Sequence, residues 1–264
     1  MVVVFCSRYV SLTCAQENDS PLSQDEPMKD WLSHRQEYLD ELLRHEGRGK
    51  ANQLCPTCVV GVQGPRSQAR YACRDCSSSR MFCHTCIVSQ HVENPFHNIK
   101  VSIFSCHCHS FTDTILTFQE WVTTHWQTAT LRSLGLSLQL GHPISEPCSR
   151  PVPANTLMAI VHTNGIHSVA ISYCGCTSQA ISHRQQLMRH RLYPGTVRKP
   201  KTCITFTAME TLHIQNVQSK CGIYDIYTSL ERLTDNTGVV PIRVCPALLL
   251  ILPFVTKLAF TGLL

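Results

Sequence analysis

A dense series of metal-ligand side chains lies between Cys55 and His97. The cysteines of this series form three pairs with the spacing Cys-x2-Cys, and two histidines follow them. A Cys-x2-Cys turn places two thiolates on the same side of a metal ion, and four such donors complete a closed structural zinc site. The series therefore predicts two zinc sites. Its members are Cys55, Cys58, Cys73, Cys76, Cys83, Cys86, His91 and His97.

The three cysteine pairs lie too close together along the chain to form independent zinc fingers. We therefore expect an interleaved, cross-braced arrangement with two ligand sets. The first set is Cys55, Cys58, Cys83 and Cys86. The second set is Cys73, Cys76, His91 and His97. A disulfide framework is the alternative, but repeated Cys-x2-Cys spacing with intervening histidines favours metal.

A third candidate zinc site surrounds a predicted β-hairpin. Asn164-Gly165 separates two runs rich in strand-forming residues, and both positions of such a turn favour positive φ. Gly175 lets the backbone bend so that two neighbouring thiolates face one ion. The candidate ligands are His142, Cys148, Cys174 and Cys176. The spacing leaves open that the histidine caps a turn and that the cysteines are buried thiols.

Helices and strands must position these ligands. Apolar residues recur at helical spacing from Trp31 to Glu46, with Asp30 as a candidate cap and Gly47 as a stop. This helix packs on the zinc module or binds a partner. Alternating apolar residues predict a strand over Leu134–Leu140. Two further helices are expected, at about Thr207–Gln218 and Tyr224–Leu233.

Together these elements predict an α+β fold built from small zinc-stabilised modules. A cross-braced, treble-clef-like zinc module comes first. A zinc-ribbon-like domain with a β-hairpin and C-terminal helices follows it. We expect two zinc ions in the first module and a third in the second.

A basic segment over residues 184–201 contains no acidic residue. Such a segment either contacts phosphates, which fix position without reading sequence, or is a solvated face. Three zinc ions held by nine thiolates would lower the formal net charge of +5 to about +2. Attraction to nucleic acid therefore depends on this local patch. Its cations are Arg184, Arg189, Arg191, Arg198, Lys199 and Lys201.

Composition and the absence of catalytic motifs in the sequence restrict the class of function. The 16 cysteines suit a reducing compartment in which thiols are available for metal. The N-terminal residues have only a short apolar run, broken by Arg8, with no basic region before it and no clear cleavage site, so no signal peptide is expected. No nucleophile elbow, P-loop, HExxH or glycine-rich dinucleotide turn is present. The sequence therefore predicts a binding module and no enzyme activity.

Several of these residues carry a family resemblance. The stretches DWLSHRQEYLDELLRHEGRG (30–49), CHTCIVSQHVENPFH (83–97), HTNGIHSVAISYCGC (162–176) and YDIYTSLERLTDNTG (224–238) resemble the amino-terminal part of fungal KDZ (Kyakuja-Dileera-Zisupton) transposases. In particular they resemble the CxC2-type cysteine cluster domain of these proteins. The resemblance covers roughly residues 28–243 except for one gap. Every candidate ligand above belongs to it except His142, which we add by inference.

The resemblance implies a zinc-stabilised region that precedes a DDE-type nuclease domain. Such a region would engage transposon DNA or other protein subunits, and a nuclear location is expected. This chain would then be a truncated form that lacks the nuclease domain. The predicted partition is a disordered lead-in at 1–29, an amphipathic helix at 30–53, a two-zinc module at 54–100, an insertion at 101–119, a CxC2-like domain at 120–243 and an apolar tail at 244–264.

Two segments depart from the family pattern. Residues 101–119 interrupt it, and the apolar tail 244–264 replaces the charged sequence expected there. Both segments begin with valine, whose codons all begin with GT, and the first ends with glutamine, one of whose codons is CAG. These are the boundary letters of an intron, so we hypothesise that both segments are translated introns. The tail also leaves open a membrane-anchored zinc protein.

Overall fold

The computed structural model describes residues 27–47, 54–58, 67–78, 80–106, 122–144, 146–154, 158–176 and 181–238. Most of the predicted lead-in, residues 107–119 of the predicted insertion and the whole apolar tail lie outside these ranges. Within them, no helix has both the length and the apolar character needed to cross a membrane.

The described ranges contain five helices and eleven strands, with seven strands in succession between α2 and α3. The helices there are α1 (Pro27–Glu46), α2 (His84–Gln90), α3 (His183–Arg189), α4 (Phe206–Ser219) and α5 (Ile223–Thr234). The strands there are β1 (Tyr71–Cys73), β2 (Met81–Phe82), β3 (Ile99–Cys106), β4 (Val122–Ala129), β5 (Ser137–Gln139), β6 (Pro151–Pro153), β7 (Ala159–His162), β8 (Gly165–Ser168), β9 (Ala170–Cys174), β10 (Leu192–Pro194) and β11 (Thr202–Thr205). The predicted α+β class is confirmed.

Helix α1 belongs to a separate unit, because the chain divides into compact units at residues 1–50 and 51–264. The helix begins at Pro27, and Asp30 lies in its first turn instead of capping it. Proline is favoured at the first helical position, where its missing N–H costs nothing. The predicted cap was therefore wrong, and the last residues of the predicted lead-in are helical. The predicted end is confirmed by Gly47, whose N–H donates to the Leu43 carbonyl at 3.2 Å.

The first sheet has the order β2-β1-β3-β4, and all its neighbours are antiparallel. Its longest pairing joins β3 and β4, with Ile99 opposite Ala129 and Cys106 opposite Val122. Residues 101–106, the start of the predicted insertion, are thus paired strand. Residues 107–121 lie outside the described ranges, so the intron hypothesis stays a prediction.

The core of the first module continues past β4. Leu131, Leu134 and Leu136 are buried with Ile87 of α2 and Ile99 of β3. They occupy turns between Leu131 and Leu136, so the predicted strand is shorter than expected and begins only with β5. The apolar alternation reflects burial in this core.

The second sheet has the order β10-β11-β7-β8. Strands β7 and β8 form the predicted hairpin, in which His162 pairs with Gly165. The two turn residues are therefore Thr163 and Asn164, one position earlier than predicted. Gly165 has φ +142°, and a Cβ there would lie 2.8 Å from Thr234 Oγ1. Helices α4 and α5 cover this sheet and share its apolar core.

The third sheet has the order β5-β9-β6, with β9 in the centre. Strand β9 is parallel to β5 and antiparallel to β6. Residues 170–174 were predicted to continue the hairpin, but the chain changes sheet at Val169. Helix α3 packs beside this sheet and buries Leu187 in its core. Ser182 begins α3 with a capping box to Gln185.

Candidate metal centres

Three groups of cysteine and histidine side chains could each hold a metal ion. In every group the four donor atoms lie within 4.8 Å of one another. The four-cysteine cluster is Cys55, Cys58, Cys83 and Cys86. The two-histidine cluster is Cys73, Cys76, His91 and His97. The one-histidine cluster is His142, Cys148, Cys174 and Cys176. The structure thus brings together the three sets that the spacing predicts.

The distances between donors fit a tetrahedral ion. Sγ of Cys58 lies 3.6 Å from Sγ of Cys83 and 3.9 Å from Sγ of Cys86. Sulfurs bound about 2.3 Å from a tetrahedral ion are about 3.8 Å apart, whereas a disulfide bond is about 2.05 Å long. The cysteines of all three clusters are free thiols. They do not form the alternative disulfide framework.

Local structure explains how the four-cysteine cluster forms. The Cys55 N–H donates to the Ser67 carbonyl at 2.9 Å, which fixes the start of the turn that carries Cys55 and Cys58. Cys83 is the N-cap residue of α2, and Cys86 lies in the first turn of that helix. The two pairs therefore approach from a turn and from a helix start.

Thiol electrostatics in the four-cysteine cluster favour a cation. Burial and the neighbouring thiols raise the pKa of Cys83 to about 12. Burial also acts to raise the pKa of Cys55, but hydrogen bonds from Thr57 and its neighbours outweigh it and lower that pKa to about 6. Without a bound ion, the four crowded thiols therefore do not all ionise. A bound cation would displace their protons.

The two-histidine cluster takes one cysteine from the end of β1 and both histidines from the chain between α2 and β3. Nδ1 of His91 contacts the Ile87 carbonyl at 2.8 Å, and Nε2 lies 3.5 Å from Sγ of Cys76. A hydrogen bond of this kind fixes the tautomer and aims the other nitrogen at the ion. His97 presents Nδ1, which lies 3.4 Å from Sγ of Cys73. The geometry therefore assigns one nitrogen of each ring to a metal.

The one-histidine cluster lies where the three strands of the third sheet converge. His142 follows β5, Cys148 precedes β6, and Cys174 ends β9. His142 Nε2 lies 3.1 Å from Sγ of Cys174, and Sγ of Cys148 lies 3.7 Å from Sγ of Cys176. The β7–β8 hairpin was predicted to bring these ligands together, but this sheet does so instead. The pairing of β9 with both β5 and β6 is the reason.

Two glycines allow the one-histidine cluster to close. Gly175 donates its N–H to the Arg150 carbonyl at 2.9 Å, and a Cβ there would lie 2.8 Å from Val152 Cγ2. Gly141 has φ +85°, and a Cβ there would lie 2.6 Å from the Cβ of Cys174. Both approaches exclude a side chain.

Of the six cations of residues 184–201, two lie on α3, Arg191 lies between α3 and β10, and the other three lie in the connection between β10 and β11. All six side chains are exposed. The guanidinium carbon of Arg191 lies 6.0 Å from the ring centroid of Phe206. Arg189 lines a cleft of about 430 Å³ beside the one-histidine cluster. Within the part of the chain that the structure describes, no carboxylate lies within ion-pair distance of any of the six.

Sequence reasoning missed the amide side chains that support these centres. Gln139, Asn164 and Gln186 each bond to main-chain atoms of a cluster loop. Isolated amides carry no motif, so only the assembled sheets identify them.

The comparisons with known proteins bear on the second half of the chain. Residues 131–238 match the family described as CxC2 like cysteine cluster associated with KDZ transposases. This range holds the one-histidine cluster and the basic segment, and it lies beyond the other two clusters. No curated protein and no solved structure matches the chain. Residues 131–238 are therefore a CxC2 like cysteine cluster domain, of the kind associated with KDZ transposases.

Proposed function

We propose that this chain is a zinc-stabilised, KDZ-transposase-like binding module that contacts transposon DNA through residues 184–201. The observation that carries the proposal is the presence of three four-donor clusters of cysteine and histidine in one compact unit with the CxC2 domain. A nuclear location belongs to the same proposal.

Zinc is the ion that suits these donors best. Thiolate and imidazole are its usual protein ligands, and a tetrahedral set of four is typical of its structural sites. Two of the three clusters contain histidine, which disfavours an all-thiolate iron–sulfur centre there. We therefore propose one zinc ion in each cluster.

The clusters support binding rather than catalysis. Catalytic zinc keeps one coordination position open for water, whereas structural zinc has four protein ligands. Each cluster here supplies four protein donors. The proposed ions would therefore stabilise the fold, and the chain would act through its surface.

The basic segment is the surface that best fits DNA. Its six cations are exposed and lie within 18 consecutive residues without an acidic side chain. Lysine and arginine that contact phosphates release counterions, so affinity falls linearly with the logarithm of salt concentration. We propose contacts mainly to the phosphate backbone, which fix position without reading sequence.

Salt-dependent binding of a labelled DNA duplex to the zinc-loaded full chain tests this proposal. Neutralising Arg189, Arg198 and Lys199 to glutamine should make the slope of log affinity against log salt shallower by up to about 2.7, since each lost phosphate contact removes about 0.9. Fluorescence anisotropy between about 50 and 200 mM salt measures the slope.

A matched variant controls for net charge. Arg80, Lys220 and Arg232 are exposed cations outside the basic segment. Their replacement by glutamine removes the same charge and should leave the slope close to that of the unchanged chain. Equal slopes for both triple variants would contradict the assignment, as would absence of binding at the lowest salt.

The second candidate function is a zinc-stabilised protein-interaction module without DNA binding. Helix α1 favours it, because large apolar side chains on this helix are exposed. Trp31 is 42% exposed, Leu39 43% and Leu42 65%. A protein subunit could cover this face. Replacing Leu39 and Leu42 with glutamate would then abolish subunit binding but leave the DNA salt slope unchanged.

A third candidate, the membrane-anchored zinc protein, depends on the apolar tail 244–264. This tail lies outside the described residues, and its length and composition alone support the idea. Co-sedimentation of the full chain with neutral lipid vesicles, lost when residues 244–264 are deleted, would favour it.

A further inference from the structure

One buried glutamine holds the main chain at the one-histidine cluster. Gln186 lies on α3 and is only 3% exposed. Its Oε1 accepts the N–H of Cys174 at 2.8 Å. Its Nε2 donates to the carbonyl of Cys174 at 3.0 Å and to that of Ile181 at 3.2 Å. The amide therefore satisfies both main-chain groups of a candidate ligand.

This contact fixes the end of β9 where its sulfur must meet the other donors. Cys174 pairs with Pro151 of β6, but on the other side of β9 the pairing with β5 ends at Ser172. The two hydrogen bonds from Gln186 satisfy the main-chain groups of Cys174 where β5 no longer pairs. A Cβ on Gly141 would lie 3.3 Å from Oε1 of Gln186, so the chain leading to His142 passes close to the same amide. One side chain thus constrains two of the ligand-bearing segments.

A second glutamine acts in the same way on the opposite side of the cluster. Gln139 ends β5, and its Oε1 accepts the N–H of Cys148 at 2.8 Å. Its Nε2 donates to the Glu146 carbonyl at 2.7 Å. The loop that carries Cys148 is therefore tied to the third sheet by one amide.

We propose that Gln139 and Gln186 are positioning residues that preorganise the one-histidine cluster for its metal ion. The inference rests on the proposed zinc binding. Each amide accepts the N–H of a different ligand cysteine, Cys148 or Cys174. The backbone at both cysteines is therefore held in place in the absence of the ion. Neighbouring groups that orient metal ligands contribute about 10–100-fold in affinity.

The effect should be confined to one cluster. The ligands of the four-cysteine and two-histidine clusters lie on β1, on α2 and on the loops beside them. Neither glutamine bonds to a residue of those segments. Loss of either amide should therefore weaken the one-histidine cluster and leave the other two unchanged. Misfolding of the whole chain would affect all three.

Cadmium-113 NMR of the full chain loaded with 113Cd separates the clusters, because the three donor sets give three different resonances. The variants are Gln186→Met and Gln139→Met, which keep the side-chain length but remove the amide. We expect the resonance of the one-histidine cluster to shift, and a chelator to remove that ion at about 10–100-fold lower concentration. Gln215→Met, at an exposed position of α4, should change neither.

The outcomes separate the inference from the function on which it rests. Three resonances in the unchanged chain, with both glutamine variants identical to it, would overturn the positioning role. Absence of the one-histidine resonance from the unchanged chain would instead contradict metal binding at that cluster. If Gln186→Met loses all three resonances, the whole chain has misfolded, and Gln139→Met then tests the positioning role. Gln139 is only half-buried, so its replacement disturbs the core less.

Discussion

The side-chain amide of Asn164 donates a 3.0 Å hydrogen bond to the main-chain carbonyl of Phe96. Phe96 precedes the candidate ligand His97, and Asn164 lies in the turn between β7 and β8. The Oδ1 of Asn164 lies 2.8 Å from Nε2 of His167, which must donate because Oδ1 has no proton. The CxC2 domain therefore holds the loop that carries a ligand of the first module.

Replacement of Asn164 by alanine should destabilise the metal-loaded chain by about 1–3 kcal/mol, because a carbonyl and an imidazole N–H lose their partner in a half-buried place. Urea unfolding measures this change. Asn236→Ala, at an exposed turn position, should cost less than about 0.5 kcal/mol. A loss as small as that for Asn164→Ala would contradict the coupling between the two regions.

His167 makes the stability depend on pH. Burial, with a smaller contribution from the charge of His162, lowers the pKa of His167 to about 4. An unfolded histidine titrates near about 6.5, so the unfolded chain takes up the proton first as the pH falls. Stability due to His167 is therefore full above about pH 6.5 and is lost toward about pH 4. Between about pH 6.5 and 5.5 the loss should be about 1 kcal/mol.

His167→Gln should remove this dependence. Acid also releases metal ions, but it does so in both proteins, so the difference in unfolding free energy between them isolates the histidine. That difference should change by about 1 kcal/mol across the interval. Parallel stability curves for the two proteins would show that His167 is not held neutral.

Gly141 and Gly135 offer a matched test of the geometry of the one-histidine cluster. Their φ values are +85° and +84°, but a Cβ would meet Cys174 only at Gly141 and would meet nothing within 4 Å at Gly135. Alanine at either position costs about 1–2 kcal/mol of backbone strain. Only Gly141→Ala should also displace Cys174 and release the third ion. Equal metal content in both variants, measured by elemental analysis, would contradict the close packing.

Single ligand changes should remove one ion at a time. Cys58→Ser, Cys76→Ser and Cys148→Ser each take one donor from a different cluster. Each variant should bind one ion fewer than the unchanged chain, as native mass spectrometry can count. Cys221→Ser, at an exposed thiol outside the clusters, should retain every ion. Loss of two ions after one substitution would show that two clusters depend on each other.

Residue type and spacing predicted the ligand sets because cysteine and histidine carry their chemistry wherever the backbone places them. The interleaved grouping followed from the short separation of the Cys-x2-Cys pairs along the chain, which leaves no room for independent zinc fingers. Helices α4 and α5 were also predicted, with each end within one residue of the observed one. In each case the information is local.

The supporting structure depended on contacts between distant residues and was not predicted. The apolar run after Asn164 reads as one strand, yet Val169 divides it between two sheets. The turn of the β7–β8 hairpin lies one residue earlier than predicted, and its first β8 residue, Gly165, lies against Thr234 of α5. The amides of Gln139 and Gln186 acquire a role only after three strands and a helix meet.

The metal content of the purified, folded full chain tests the central claim most directly. Inductively coupled plasma mass spectrometry, with protein concentration from amino-acid analysis, gives the number of ions per chain. The three clusters predict three zinc ions per chain. A monodisperse, folded protein that contains no bound transition metal would contradict the account.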